Sequence, residues 1–246
     1  MKNEITIITI HTGKKEELIK TLVSIDNQKV KPYKNIVIIN KIKNFNFNKY
    51  KKKYRKFIIG KDSSLYNAMN IGIKLTKKNN ILFLNSGDTL YKKNTIQIIN
   101  RKLKIFPNTI LIFKTVLKYK NLIFFPKNKF FNNKIYSPHP SFVRPKLNLS
   151  KVEYFNENNK INSDGEWMGR LKNKISHRKI NVISSIYYLG GRSSNPSLKS
   201  IFFLLQDSFL SFLKELIKYL LYKINTKKNY YKLIYSKKFK LKIEKK

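Results

Sequence analysis

The chain has 246 residues, 41% of them apolar, enough for one large α/β domain or for a domain with a C-terminal extension. It contains no cysteine, which excludes disulfides and thiolate metal sites and removes any need for an oxidising compartment. Its 53 Lys and Arg against 13 Asp and Glu give a formal charge of +40, a balance that taken alone suggests nucleic acid or an anionic membrane.

The quality of that charge weakens the nucleic-acid reading. Only six residues are Arg, and the 47 Lys are spread along the whole chain among Asn and Ile. A nucleotide-composition bias in the source genome produces this pattern too, so a generally basic, solvated surface explains it as well as a specific anionic partner does. The excess still favours contact with anionic lipid head groups. The N-terminus runs straight into an apolar strand without a basic region and a long apolar one, so no secretion signal is expected. No stretch is apolar and uncharged for the length that a spanning helix needs.

In chain order, Ile5 to Ile10 is a β-branched run that predicts a buried strand. Leu18, Leu22 and Ile25 then fall at helical spacing after Gly13, predicting a helix to about Asn27. Ile36 to Ile39 predicts a second strand. Lys41 to Arg55 is polar, basic and aromatic and reads as a loop with little fixed structure. Phe57 to Ile59 predicts a third strand, closed by Gly60. Asp62-Ser63-Ser64 makes an N-cap cluster for a helix whose one face is Leu65, Ala68, Met69, Gly72 and Leu75. Ile81 to Leu84 reads as a central strand, and Thr95 to Ile105 as a helix stopped by Pro107. This alternation argues for a parallel, Rossmann-like sheet covered by helices. From Thr109 the pattern changes to two strand-like runs, 109–117 and 121–125, whose tight gap around Lys120-Asn121 predicts an antiparallel hairpin. Leu198 to Ile224 reads as a helix with a narrow polar stripe, Asp207, Ser211, Lys214, Glu215 and Lys218, in an otherwise Phe, Leu, Ile and Tyr surface. So wide an apolar face either packs on the domain or lies in a membrane interface beside the basic tail.

In parallel α/β sheets ligands bind at the carboxyl ends of the strands. The first strand ends at Thr9-Ile10-His11-Thr12-Gly13 and the fourth at Asn85-Ser86-Gly87-Asp88. An acid in a turn after a buried strand can hold a hard cation, which would neutralise a diphosphate leaving group. Asp88 can equally cap the next helix or make an Asx-turn.

The segment Lys61-Asp62-Ser63-Ser64-Leu65-Tyr66-Asn67-Ala68-Met69-Asn70-Ile71-Gly72-Ile73, followed by Ile81-Leu82-Phe83-Leu84-Asn85-Ser86-Gly87-Asp88, resembles the family 2 glycosyltransferases of the GT-A fold. Ile7-Ile8-Thr9 with Leu18, Thr21, Leu22, Ser24, Ile25 and Gln28 is similar to that family's opening strand and helix. The resemblance spans 4–90 and continues through short motifs to about 194. It implies an α/β GT-A fold: a mostly parallel sheet with flanking helices and mixed strands in the second half, while residues from about 198 onward, with the C-terminal amphipathic helix, lie outside it. The implied division is 1–197 for the glycosyltransferase domain and 198–246 for the helix and basic tail.

The resemblance also implies roles. Asn85-Ser86-Gly87-Asp88 occupies the place of the family's Asp-x-Asp metal motif, so Asp88 would meet a divalent cation, Mg or Mn, and the donor diphosphate, with Asn85 and Ser86 as weaker contributors. Thr9 and His11 sit where the family's first loop lines the nucleotide pocket. Asp62 and Asn70 occupy donor-side positions, with an N-cap and a helix-packing amide as the alternatives. Asn162-Ser163-Asp164-Gly165-Glu166-Trp167-Met168-Gly169-Arg170-Leu171 is similar to the family's acidic motif opening a helix, an Asp followed six positions later by Arg. That selects Asp164 as the base that takes the acceptor proton, with Glu166 as the fallback; both can also be ordinary first-turn acids favoured by the helix dipole. Pro138-His139-Pro140-Ser141-Phe142 resembles the family's His-containing strand, which would turn His139 toward acceptor or phosphates unless it is a turn residue. Gly190-Gly191-Arg192-Ser193-Ser194 resembles a Gly-Gly-x-Ser loop, in which Arg192 would meet a phosphate; a plain tight turn is the alternative.

Two departures matter. Asn40-Lys41 stands where many relatives have an Asp-Asp-Gly-Ser turn near the nucleobase. Ser64-Leu65-Tyr66-Asn67 replaces Gly-Ile-Tyr-Asp and removes a carboxylate near the donor. The expected activity is inverting transfer of a sugar from a nucleotide-sugar donor to an acceptor hydroxyl, in surface polysaccharide or glycolipid assembly. The expected setting is cytoplasmic, at the inner face of the plasma membrane if the helix binds there, with a glycan or lipid-linked acceptor and no nucleic-acid partner. The alternatives are a non-enzymatic basic protein that binds nucleic acid, and an inactive chain of glycosyltransferase fold.

Overall fold

The computed structural model describes residues 5–60, 63–76, 79–127, 138–146, 154–159, 162–191, 194–198, 201, 209–236 and 238–244, without the side chains of 210 and 211. The chain divides into two compact units, 1–115 with 131–187, and 116–130 with 188–246.

The first unit is built on β-branched runs. Strands β1 (Ile5–His11), β2 (Lys34–Ile39), β3 (Arg55–Ile59) and β4 (Asn80–Phe83) pair in parallel in the order β3-β2-β1-β4. All four therefore end at the same edge of the sheet, His11 opposite Ile39 and Ile8 opposite Phe83. The sheet then turns antiparallel. β4 pairs β8 (Phe142–Arg144), β8 pairs β6 (Ile110–Tyr119), and the short β5 (Thr89–Leu90) pairs β9 (His177–Tyr188). The expected switch from parallel to mixed strands is present.

Alternation sorts the strand residues onto two faces. Ile8, Ile10, Ile36, Ile38, Ile81 and Phe83 share a core with Ala68, Met69 and Ile73 of helix α3 (Leu65–Thr76) and with Trp167, Met168 and Leu171 of helix α5 (Ser163–Lys174). Ile5, Ile7, Leu82 and Leu84 face Ile96, Ile99 and Leu103 of helix α4 (Thr95–Ile105). Val37 and Ile39 meet Leu18 and Leu22 of helix α1 (Lys15–Asp26). Each such fully buried aliphatic contributes roughly 1.5–3 kcal/mol. Gly72 lets α3 lie on β1: a Cβ there would stand 2.6 Å from Ile8 Cγ2.

The stretch 41–55 corrects the expectation of a formless loop. It contains a short helix, α2 (Phe47–Tyr50), and its aromatic residues condense. Phe45, Phe47, Tyr50 and Phe57 hold ring centroids 4.9 to 6.2 Å apart and pack against the Val37 and Leu18 cluster. At its end the fully buried Arg55 guanidinium binds Asp26 at 2.6 Å and donates to Asn35 Oδ1 at 2.7 Å. A buried cation needs such partners.

The second unit contains the end of β6, strand β7 (Leu122–Pro126) and strand β10 (Phe239–Ile243), all antiparallel. The predicted hairpin closes at Lys120, whose φ is 51°. Of the expected C-terminal helix, Leu198 and Ile201 are helical and helix α6 (Phe209–Ile224) is the main described part; helix α7 (Lys227–Ser236) follows it. The described part of the basic tail thus forms a helix and a strand. Tyr230 and Tyr231 of α7 are buried, Tyr231 against the ring of Tyr119, and Lys118 pairs with Glu244 at 2.7 Å.

Candidate functional site

Every described element of the site belongs to the first unit. The turn after β4 is held by its main chain. Thr21, buried on α1, donates its hydroxyl to the Asp88 carbonyl at 2.7 Å and accepts the Gly87 N–H at 3.0 Å. The Gly87 N–H also reaches the Glu17 carbonyl, 3.1 Å, and the Ser86 N–H donates to the Ile10 carbonyl at 3.0 Å. Gly87 has φ +100°, a conformation that a side chain would strain. Gln28, just past the end of α1, continues the clamp: its Nε2 donates to the Lys92 carbonyl at 2.8 Å and its Oε1 accepts the Ile96 N–H at 3.1 Å.

This clamp brings the ends of β1 and β4 together. His11 Nδ1 lies 3.1 Å from Ser86 Oγ, while its buried Nε2 has no protein partner. Burial lowers the His11 pKa from its ordinary value, against the pull of Glu17, so the ring is neutral at physiological pH. Asp88 is buried, and the neighbouring Asn85 Oδ1 is a buried oxygen without a partner. An amide oxygen and a carboxylate are both donors that suit a hard cation. Among the described residues, however, no three His, Asp or Glu cluster as a ready-made cage. The set fits an ion whose remaining oxygens come from a ligand.

Asp164 sits in the first turn of α5, with its Oδ2 3.3 Å from His139 Nε2. The separation suits an ion pair, although the geometry is short of a good hydrogen bond, and His139 Nδ1 is buried without a partner. Asp164 Oδ1 accepts the Gly165 N–H at 3.0 Å and stands 3.5 Å from the Tyr66 hydroxyl, a long contact. Burial pushes the Asp164 carboxyl up, but the His139 contact and the amide outweigh it and hold the group below its ordinary value. It is ionised at neutral pH. Burial, then the Asp164 charge, raises the Tyr66 phenol, which stays protonated.

His139 is packed in an aromatic box, its ring centroid 5.7 Å from Phe83, 5.9 Å from Phe155 and 6.4 Å from Trp167. Phe83 is the last residue of β4. One strand end therefore supports the ring that meets Asp164 and, two residues later, starts the Asn85–Asp88 turn.

Other expected site residues have structural partners. Thr9 is fully buried and its hydroxyl accepts from Asn35 Nδ2 at 3.3 Å, which ties it to β2. Asn70 is a helix-packing amide: its Oδ1 accepts the Phe155 N–H at 2.8 Å, and its Nδ2 donates to the Phe155 carbonyl and to Glu157. Glu166 bonds Arg170 and accepts from Asn159 Nδ2 at 3.1 Å. Asp62 and Arg192 lie outside the described residues. Sequence reasoning assigned no role to Tyr66 or Glu157. Glu157, reached by both Asn67 and Asn70, had one signal, the scarcity of acids in this chain.

No protein-family model matches the chain, and no curated protein sequence does either. Solved structures do. S. aureus TarS residues 1–349 is similar with a TM-score of 0.61 at 14% identity, covering 75% of this chain and 60% of that one. A longer S. aureus TarS chain gives 0.64 at 14% identity, with 94% of this chain and 45% of that one covered. TarS 1–349 in complex with UDP-GlcNAc gives 0.60 at 12% identity over 94% of this chain and 75% of that one. This chain thus spans 60% and 45% of the length of the first two. TarS is a family 2 glycosyltransferase of the GT-A fold, and the likeness shows that this chain has that fold.

Proposed function

We propose that this chain is a glycosyltransferase that moves a sugar from a nucleotide-sugar donor to an acceptor hydroxyl with inversion at the anomeric carbon. The observation that carries the reading is the pairing of an ionised, His-held carboxylate, Asp164, with an oxygen-lined turn, Asn85 to Asp88, through the single strand end at Phe83. A GT-A fold supports it, and solved complexes of TarS contain UDP and UDP-GlcNAc.

In this mechanism Asp164 accepts the proton of the acceptor hydroxyl as its oxygen attacks the anomeric carbon. The bond from that carbon to the donor diphosphate breaks on the opposite face. His139 orients the Asp164 carboxylate and keeps it ionised, and the Phe83, Phe155 and Trp167 rings fix His139. The Asp88 carboxylate and Asn85 Oδ1 would hold a divalent cation, which supplies charge neutralisation at the departing diphosphate. His11 presents a neutral ring next to Ser86 on the donor side. The acceptor class we assign is a growing surface polysaccharide or glycolipid.

The test is release of nucleoside diphosphate across a panel of nucleotide sugars, with and without Mn and with candidate acceptors. Turnover of one donor, stimulated by metal and acceptor, is the expected result. Absence of turnover with every donor, together with DNA or RNA binding whose affinity falls steeply with salt, would replace this reading by a nucleic-acid-binding one. Donor binding without turnover would make the chain an inactive member of the fold.

A further inference from the structure

We infer that α6 is an interfacial helix that docks the protein on an anionic lipid surface. Its apolar stripe faces the wrong way for a helix that merely completes a core. At about 100° per residue, Phe209, Leu213, Ile217, Leu220 and Ile224 fall within a stripe about 80° wide. All five are solvent-exposed, from 40% at Leu213 to 77% at Ile224. The opposite side carries Glu215, Tyr219 and Tyr222. There Tyr222 meets Tyr230 of α7 edge-on at 5.2 Å, and Glu215 is engaged by Lys218 at 2.8 Å. An ordinary surface helix turns its apolar face inward; this one leaves an apolar stripe in solvent.

A contiguous exposed apolar stripe marks an interaction surface, and the charge around it selects the occupant. Lys214 and Lys223 are exposed and flank the stripe on its two sides, placed for their ammonium groups to reach head groups while Leu and Ile enter the acyl region. From Leu198 to Lys246 the chain has thirteen Lys and three acids. A second copy would bring like charge against like, whereas an anionic membrane complements it. Among the described residues no helix is long and apolar enough to cross a membrane, so the contact is in the plane of the interface.

The experiment is sedimentation of the full chain with vesicles of phosphatidylcholine alone or mixed with phosphatidylglycerol. Binding is expected to the mixed vesicles only, weakened by salt, and reduced about tenfold or more by Leu213→Gln/Ile217→Gln/Leu220→Gln. Lys214→Gln/Lys223→Gln should weaken it by a smaller factor. In a separate Leu220→Trp variant, the new indole should be quenched by brominated acyl chains, a readout that stands even if the triple variant misfolds. Full vesicle binding by a folded triple variant would overturn the inference, as would equal binding to phosphatidylcholine alone. So would a soluble oligomer that the same three substitutions dissociate, since the stripe would then be a contact between copies. No sugar donor enters these measurements, so they fail or succeed independently of the transfer reaction.

Discussion

Asp88 and Asp164 are both acids at the start of something, one closing a strand-end turn and one opening a helix, yet the protein supports them differently. The Asp88 carbonyl accepts the Thr21 hydroxyl and its N–H donates to the Asn85 carbonyl, so the backbone position is set whatever the carboxylate binds. The Asp164 carboxylate accepts the Gly165 N–H at one oxygen and faces a side chain at the other, His139, which is packed in an aromatic box. A cation site needs an oxygen held in a constant place. A proton acceptor needs its basicity adjusted, which neighbours achieve through charge and burial. The contrast suits the two roles proposed for them.

Substitution sharpens it, beginning with the largest effect. Asp164→Asn should lower kcat by about 10²–10⁴, as for a lost general base, with donor affinity in calorimetry unchanged. An equal loss of donor binding would mean that Asp164 serves the donor instead. Asp88→Asn should show the opposite split. Donor affinity in the presence of Mn should fall roughly 10- to 100-fold, the worth of one contact to a charged group at about 1.5–3 kcal/mol. Thr21→Val keeps the shape but removes the hydroxyl that joins Gly87 and Asp88. It should cost about 1–2 kcal/mol in urea denaturation by taking away the hydroxyl that the Asp88 carbonyl accepts, and it should weaken donor binding more than it slows transfer.

How much of this was legible depended on the physical kind of signal. The apolar runs of β1, β2 and β4 and the helical spacing of α1 and α4 read directly, because burial imposes the period. The Lys120 turn was legible from its brevity. Phe45, Phe47 and Tyr50 were not, because their partners Phe57 and Val37 are brought to them only by the fold. In β10, Phe239, Leu241 and Ile243 alternate with Lys240 and Lys242, a period-two pattern concealed in a segment whose charge read as tail. At the site, the Asp164 position was legible from its helix-opening motif. That His139 meets it was not, since 25 positions of sequence separate them and only the Phe83, Phe155 and Trp167 rings bring the imidazole there. Asn70, read as a donor-side candidate or a packing amide, is a packing amide because the Phe155 main chain satisfies both ends of it.

His139→Gln separates the tuning of Asp164 from its mere presence and should have the smallest effect at neutral pH. In the wild type, burial raises the Asp164 carboxyl but His139 brings it below the ordinary value. Without His139 the burial is less opposed and the carboxyl shifts up. Because transfer uses the ionised form, the acid limb of the kcat/KM profile should move to higher pH, with only a modest loss at pH 8. Stability gives a second reading. A carboxyl whose folded pKa is depressed contributes stability that is present above its unfolded value and is lost as pH falls through the folded one. The melting temperature of His139→Gln should therefore lie below that of the wild type near neutrality, and the gap should narrow as both are acidified toward and below the ordinary carboxylate range. A cavity left by the smaller side chain would lower both curves by the same amount at every pH. A gap that stays constant down the acid limb would show that His139 packs the box without adjusting the carboxylate.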